Sequence, residues 1–200
     1  MPIKKIFVIF LLRGEIVKVL VISDTHGSVY YWNKIKKIAE QVDEIFHLGD
    51  VLYHGPRNPL PEGYNPKELV EELKKFNINY IRGNCDADVD VKVLGLQEMP
   101  KKTMEFFKDI PIYLFHGESI ENDNFDVTSF AKNHNVRIIL HGHTHIPKIE
   151  EKEGIIIANP GSLSLPKGGF PQTYMIIDLS NTPKITIYDL DNKEVLSKTI

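Results

Sequence analysis

Two carboxylates, four imidazoles and one carboxamide follow apolar runs in this chain. They are Asp24 and His26 in DTHG, Asp50 in GD, Asn84 in GN, His116 in HG, and His143 and His145 in GHTH. All are oxygen or nitrogen donors, with no thiolate among them. That set favours Mn²⁺, Fe, Ni²⁺ or Zn²⁺ over a closed structural zinc site. Seven donors are too many for one ordinary ion and suit two divalent ions sharing a bridging carboxylate. Ions paired at about 3.5–4 Å suit in-line displacement at phosphorus, one helping to make a hydroxide and both neutralising phosphoryl charge.

Buried strands must carry these donors. Val136, Ile138, Ile139 and Leu140 form a β-branched run ending in His141-Gly142-His143-Thr144-His145. Such a strand delivers imidazoles to the carboxyl edge of a sheet, where open α/β sheets hold ligands. A polar turn with incidental histidines is the alternative for GHTH alone. Lys18–Ser23 reads as a central strand ending at Asp24-Thr25-His26-Gly27, where Asp could instead cap the next helix. That helix is expected over 29–42, with Trp32, Ile35, Ile38, Ala39 and Val42 on its core stripe. Residues 44–50 read as a second strand, whose His47 fits a core position better than a ligand position. Residues 78–81 read as a third strand, ending in Arg82-Gly83-Asn84-Cys85-Asp86.

Asn65-Pro66-Lys67-Glu68 is a helix start, with Asn as N-cap, Pro at the first position and Glu in a capping-box place. Strands are expected over 104–107 and 110–115, the second ending at His116-Gly117. A polar loop over 118–126 and a short helix over 125–134 follow, with His134 at its solvated end. After Pro147 the short strands 148–151, 155–158, 173–179, 185–190 and 195–198 suggest a second sheet stacked on the first. Two Gly/Pro-rich loops interrupt the pattern, 51–65 and 159–169. A loop as long as 51–65 is usually functional or disordered in a compact domain. Its His54, Arg57 and Asn58 could reach an anionic substrate, or the loop could be a rigid surface or subunit contact.

The 200 residues, 42% hydrophobic and 26% charged, describe one globular domain with ample core. The net charge of −3, without blocks of Lys or Arg, marks no nucleic-acid surface. Cys85 is the single cysteine, which excludes an internal disulfide and fits a reducing cytoplasm. No apolar run reaches the length of a membrane span. Lys4-Lys5 and the apolar 6–12 make a poor secretory signal, because Arg13-Gly14-Glu15 follows without a small-residue cleavage site. The regular α/β pattern starts only at Val17, so residues 1–16 are expected to be an N-terminal extension outside the core.

Taken in order, DTHG, GD, GN, HG and GHTH resemble the motifs of the calcineurin-like metallophosphoesterases. GDVLYHGPRNPLPEGY, GNCD and NPGSLSLPKGG narrow the resemblance to the YfcE-type bacterial phosphodiesterases, from Val17 to the C-terminus. The resemblance implies a four-layer α-β-β-α sandwich of two mixed sheets flanked by helices. It implies two divalent ions, commonly Mn²⁺. Asp24, His26 and His145 would hold the first, Asn84, His116 and His143 the second, and Asp50 would bridge them. A hydroxide shared by the ions would be the nucleophile, and Asn84 would also touch a phosphate oxygen. Many monoesterase relatives carry histidine after GN, where this chain has Cys85. That departure favours diester over monoester hydrolysis and leaves the general acid unassigned. The expectation is a cytoplasmic metal-dependent phosphodiesterase acting on a small-molecule substrate, as a homodimer or higher homo-oligomer. A phosphomonoesterase or nucleotidase is the first alternative. A non-catalytic interaction module is the second, although relatives of that kind have incomplete metal sites.

Overall fold

Each strand is an apolar run whose alternate side chains enter different layers. In β1 (Lys18–Ile22), Val19 and Val21 join one cluster while Leu20 and Ile22 join another, all four fully buried. A side-chain period of two requires this split. The computed structural model describes residues 18–121 and 125–200. The expected extension over 1–16 lies outside them.

Parallel pairing joins β1 to β2 (Glu44–His47) and β2 to β3 (Ile78–Tyr80). On its other side β1 pairs antiparallel with β9 (Thr173–Asp178), followed by β10 (Lys184–Asp189) and β11 (Glu194–Thr199). The first sheet thus has the order β11-β10-β9-β1-β2-β3. The second sheet contains β4 (Lys102–Phe107), β5 (Ile110–Phe115), β6 (Ile138–Leu140), β7 (Lys148–Lys152) and β8 (Ile155–Asn159), in the order β4-β5-β6-β8-β7. Its β5, β6 and β8 run parallel, with antiparallel strands at both edges.

The tail after Pro147 is therefore not a sheet of its own, as its pattern suggests. Its first two strands complete the second sheet and its last three extend the first. The GHTH strand also belongs to the second sheet, so the two halves of the donor set come from different sheets.

Val19, Val21, Phe46, Phe107, Leu114, Ile138 and Met175 pack between the sheets. Leu20 and Ile22 face α1 (Val29–Ala39) and α2 (Pro66–Leu73) through Trp32, Ile35, Leu69 and Leu73. Tyr113, Ile139 and Ile157 face α5 (Val127–Asn133) through Val127 and Ala131. These layers make the expected four-layer sandwich. Ser28 and Asn65 cap α1 and α2 by accepting the amides of Tyr31 and Glu68.

Two short helices depart from the sequence reading. Glu118–Glu121 forms α4 where a polar loop is expected, and Asp88–Val93 forms α3 where no element is. In α3 the apolar Val89 and Val93 are exposed while Asp90 is buried. Asp90 faces inward because its carboxylate accepts the amide of Ala87 at 2.8 Å. Among the described residues no helix is long and apolar enough to cross a membrane.

Candidate metal centre and active site

The carboxyl ends of β1, β2, β3, β5 and β6 lie at one edge of the sandwich, each feeding a loop with one or two donors. The loops after β1 and β2 are stitched together by Asp24 N to Gly49 O, 3.0 Å, His26 N to Asp50 O, 3.0 Å, and Gly27 N to Val51 O, 2.8 Å. Gly142 N donates to His116 O at 2.7 Å, joining the loops after β5 and β6. His143 N donates to Asp24 Oδ2 at 3.1 Å, tying the two sheets together at the site.

Close packing there depends on missing side chains. A Cβ on Gly83 would lie 2.2 Å from Asp50 Oδ1, and one on Gly142 would lie 2.0 Å from Ser23 Oγ. Asp24, His26, Asp50, His143 and His145 all have positive φ, between 45° and 69°. Non-glycine residues pay about 1 kcal/mol or more for that region and accumulate where function demands it.

Two donor groups result. His26 Nδ1 donates to Tyr53 O at 2.7 Å, and His145 Nδ1 donates to Leu165 O at 2.6 Å. A carbonyl can only accept, so each Nδ1 carries a hydrogen, and the Nε2 side, whose lone pair is free in the neutral ring, is turned inward. Those two Nε2 atoms face each other at 3.2 Å. Asp24 Oδ1 lies 3.2 Å from His145 Nε2 and 3.7 Å from His26 Nε2, and is buried without a hydrogen bond. Converging lone pairs and an orphaned carboxylate oxygen are unfavourable alone and fit a divalent cation among them.

The second group is built alike. His116 Nδ1 donates to Leu48 O at 2.7 Å, turning Nε2 to Asn84 Oδ1 at 3.1 Å, His143 Nδ1 at 3.3 Å and Asp50 Oδ1 at 3.4 Å. Asp50 Oδ2 lies 3.8 Å from His26 Nε2, so the two oxygens of this carboxylate address different groups. The seven residues singled out in the sequence thus lie around one centre.

Electrostatics agree with a demand for positive charge. Burial raises the Asp24 carboxyl, but the contact with His145 and the charges of His145, His116 and His26 carry it well below the usual range. Burial likewise raises Asp50, and His116 outweighs it to lower the carboxyl. Burial lowers His116, yet the hydrogen bond to Asp50 and the charges of Asp24 and Asp50 lift it to about 10. A proton there stands in for a cation, and metal binding must displace it.

Several supporting residues were not legible as site residues. The Asp86 carboxylate, 7% exposed, accepts the amides of Gly83 at 2.7 Å and of Asp50 and Val51 at 2.8 Å. Ser162 Oγ and Ser164 Oγ donate to Asp24 O at 2.8 and 3.0 Å. Asn159 Nδ2 donates to Gly142 O at 2.7 Å and Thr144 Oγ1 at 3.0 Å, fixing the GHTH loop. NPGS begins at the last residue of β8, much as the donor motifs follow their strands, and that position was the available signal. His47 is fully buried, its Nε2 2.9 Å from Thr25 Oγ1. Burial pushes His47 down to about 3 and His141 to about 4, so both are neutral supports.

A cavity of about 520 Å³ opens over the centre, lined by Asp50, Asn84, Cys85, His143, His145, Tyr53, Gly55, Pro56, Arg57, Asn58 and Lys167. Arg57 and Asn58 line it, whereas the His54 ring packs edge-on against Tyr53 and Tyr64. Cys85 Sγ belongs to one of the donor clusters, with His26 and Asp50. Burial, then the Asp50 charge, pushes this thiol up to about 12 and keeps it protonated.

Residues 17–182 match the calcineurin-like phosphoesterase superfamily domain. The chain belongs to that superfamily. It is 36% identical over 165 residues to the phosphodiesterase YfcE of Escherichia coli K12, covering 80% of this chain and 87% of that protein. A probable metallophosphoesterase of Bacillus subtilis, YsnB, is 30% identical over 182 residues, 88% of this chain and 94% of that protein. The solved structure of the E. coli phosphoesterase Yfce superposes with a TM-score of 0.81 at 34% identity, covering 92% of this chain and 99% of that one. Vacuolar protein sorting 29 of Cryptosporidium parvum shares the fold, with a TM-score of 0.66 at 20% identity and 94% and 99% coverage. As a superfamily member the chain is a metallophosphoesterase whose buried His and Asp groups can hold divalent metal.

Proposed function

We propose that this phosphoesterase hydrolyses phosphodiesters at a dinuclear centre. Asp24, His26 and His145 would hold one ion, Asn84, His116 and His143 the other, and Asp50 would be shared between them. The observation that carries the reading is the orphaned Asp24 Oδ1 facing the opposed Nε2 lone pairs of His26 and His145, beside an Asp50 whose second oxygen turns to His116. The likeness to YfcE, named a phosphodiesterase, supports the choice of diester.

When bound, divalent ions supply an acidified water near neutral pH and charge neutralisation at phosphorus. The oxygen and nitrogen donor set suits Mn²⁺, with Ni²⁺, Fe²⁺ and Zn²⁺ also compatible. The carbonyls of Tyr53, Leu165 and Leu48 hold the imidazoles in the tautomer that directs a lone pair inward. Asn84 Nδ2 donates to a non-bridging phosphoryl oxygen, while its Oδ1 stays on the His116 side. Arg57 faces the bound substrate from the cavity wall. Cys85 is a neutral filler that supplies neither nucleophile nor proton. In the monoesterase alternative, the second phosphate charge or the departing oxygen would need a donor at the Cys85 position.

Exposed Leu60 and the edge strand β4, with Phe106 outward, support a homo-oligomer, and the lone Cys85 supports a cytoplasmic setting. The test compares bis(4-nitrophenyl) phosphate with 4-nitrophenyl phosphate, which share a leaving group, using Mn²⁺-loaded protein and a chelated control. Metal-dependent turnover favouring the diester is expected. Preference for the monoester would overturn the diesterase reading.

A further inference from the structure

Two cations stand in the cavity wall, and only Arg57 is a residue that the sequence marks for substrate. Arg57 sits in a turn that Asn58 closes, donating through its amide to Gly55 O at 3.4 Å and through Nδ2 to His54 O at 2.9 Å. The same segment supplies the Tyr53 carbonyl that fixes His26. Lys167 lies in the second Gly/Pro-rich loop, and its amide donates to His145 O at 3.1 Å. That loop supplies the Leu165 carbonyl that fixes His145. Each cation is therefore carried by a segment anchored to an imidazole of the first donor group. Both line the cavity and both are exposed.

Neither has a carboxylate partner among the described residues, whereas Lys148 and Lys152 share Glu150 and Lys198 pairs with Glu151. Among the described residues Asp50 is the lone carboxylate in the cavity lining, and its oxygens face the histidine groups.

Charge counting decides what this pair is for. Two divalent ions with Asp24, Asp50 and an attacking hydroxide would leave one positive charge, which already balances a singly charged diester phosphate. Arg57 and Lys167 are then surplus to the scissile phosphate. A cavity of about 520 Å³ is also far larger than one phosphoryl group needs. Arginine offers a planar fork to a carboxylate or phosphate, and lysine a point charge beside it.

We infer that Arg57 and Lys167 form a second anion subsite, and that the substrate is a phosphodiester whose non-leaving arm carries a further carboxylate or phosphate group. The inference rests on the phosphodiesterase reading and names the substrate class for that same site.

The test uses three diesters of 4-nitrophenol that differ only in the other arm: carboxyalkyl, alkyl of equal length, and choline. They are assayed with Mn²⁺-loaded full-length protein at physiological ionic strength, where charges beyond about 8 Å are screened. The expected order in kcat/KM is anionic over neutral over cationic, with about tenfold between the first two. Each exposed cation contributes about threefold, as partly solvated charge pairs do. Lys167→Ala and Arg57→Ala should each cut the anionic-to-neutral ratio about threefold, and Lys167→Glu should shift the preference toward the choline arm. Metal content and melting temperature confirm that each variant is folded. Equal kcat/KM for the three arms, or a preference that survives both alanine variants, overturns the subsite and leaves the diesterase standing. No turnover of any diester overturns both.

Discussion

Replacing Asp86 with asparagine separates the support of the metal centre from the stability of the fold. One Asp86 oxygen accepts the amides of Asp50 and Gly83 and the other accepts that of Val51. In Asp86→Asn one oxygen becomes an NH₂ group that cannot accept. With the remaining oxygen on the Asp50 and Gly83 side, the Val51 amide faces a donor. Leaving that buried donor unsatisfied costs about 1.5–3 kcal/mol. An opposing effect comes from ionisation. Burial raises Asp86 from 3.8 to about 6 despite its three amide donors. A carboxyl raised in the folded state destabilises the fold above its unfolded pKa, by about 3 kcal/mol at neutral pH for this shift. An amide escapes that cost, so the metal-free variant should unfold within about 1 kcal/mol of the parent. The metal centre gains no such relief. Asp50 keeps a φ of 58° while Asp86 and the neighbouring loops hold its backbone. Loss of such outer support typically weakens metal binding 10–100-fold. Urea unfolding of the metal-free protein and calorimetric Mn²⁺ titration read the two effects separately. Unchanged Mn²⁺ affinity would refute the positioning argument, and severe destabilisation would refute the cancellation.

Two other sites give independent outcomes. Cys85→Ser should stay within about twofold of wild type, because a thiol held near 12 does no acid–base work. Cys85→His should raise turnover of poor-leaving-group esters, monoesters most, although the imidazole must shift the Gly55 turn, where a methyl group would lie 3.1 Å from Sγ. His141 is lowered to about 4 from 6.5, so its stability contribution is complete above pH 6.5 and is lost as pH falls toward 4. The shift amounts to about 3 kcal/mol, and His141→Asn should flatten the acid limb of the unfolding free energy against pH by that amount. An unchanged slope would show that His141 is protonated in the fold.

The donors were legible because each ends an apolar strand, a pattern that local sequence displays openly. Sheet membership was not. Ile155–Ala158 and Thr173–Leu179 read alike, yet the first joins β6 and the second joins β1, a choice made by partners far away in the chain. Helix α3 escaped because Asp90 is buried while Val89 and Val93 are exposed, which leaves Val91 as its one apolar residue packed on the core and no stripe to read. Asp86 looked like one more polar loop residue, and only its three amide contacts show that it holds the Asp50 backbone. Lys167 stands between a proline and a glycine with no periodic signal. Its place over the site follows from a backbone bond to His145 formed across the fold.

The central claim is that two ions bridged by Asp50 carry out the hydrolysis, and Asp50→Asn tests it most directly. An amide leaves one good oxygen where the carboxylate offers two, and removes the charge that faces both histidine groups. Metal content by mass spectrometry and hydrolysis of bis(4-nitrophenyl) phosphate are measured on the same preparations, with circular dichroism as the check on folding. The account predicts two ions per chain in the parent, and one or fewer in the folded variant with activity at least about 100-fold lower. A folded Asp50→Asn that keeps two ions and full activity would contradict it.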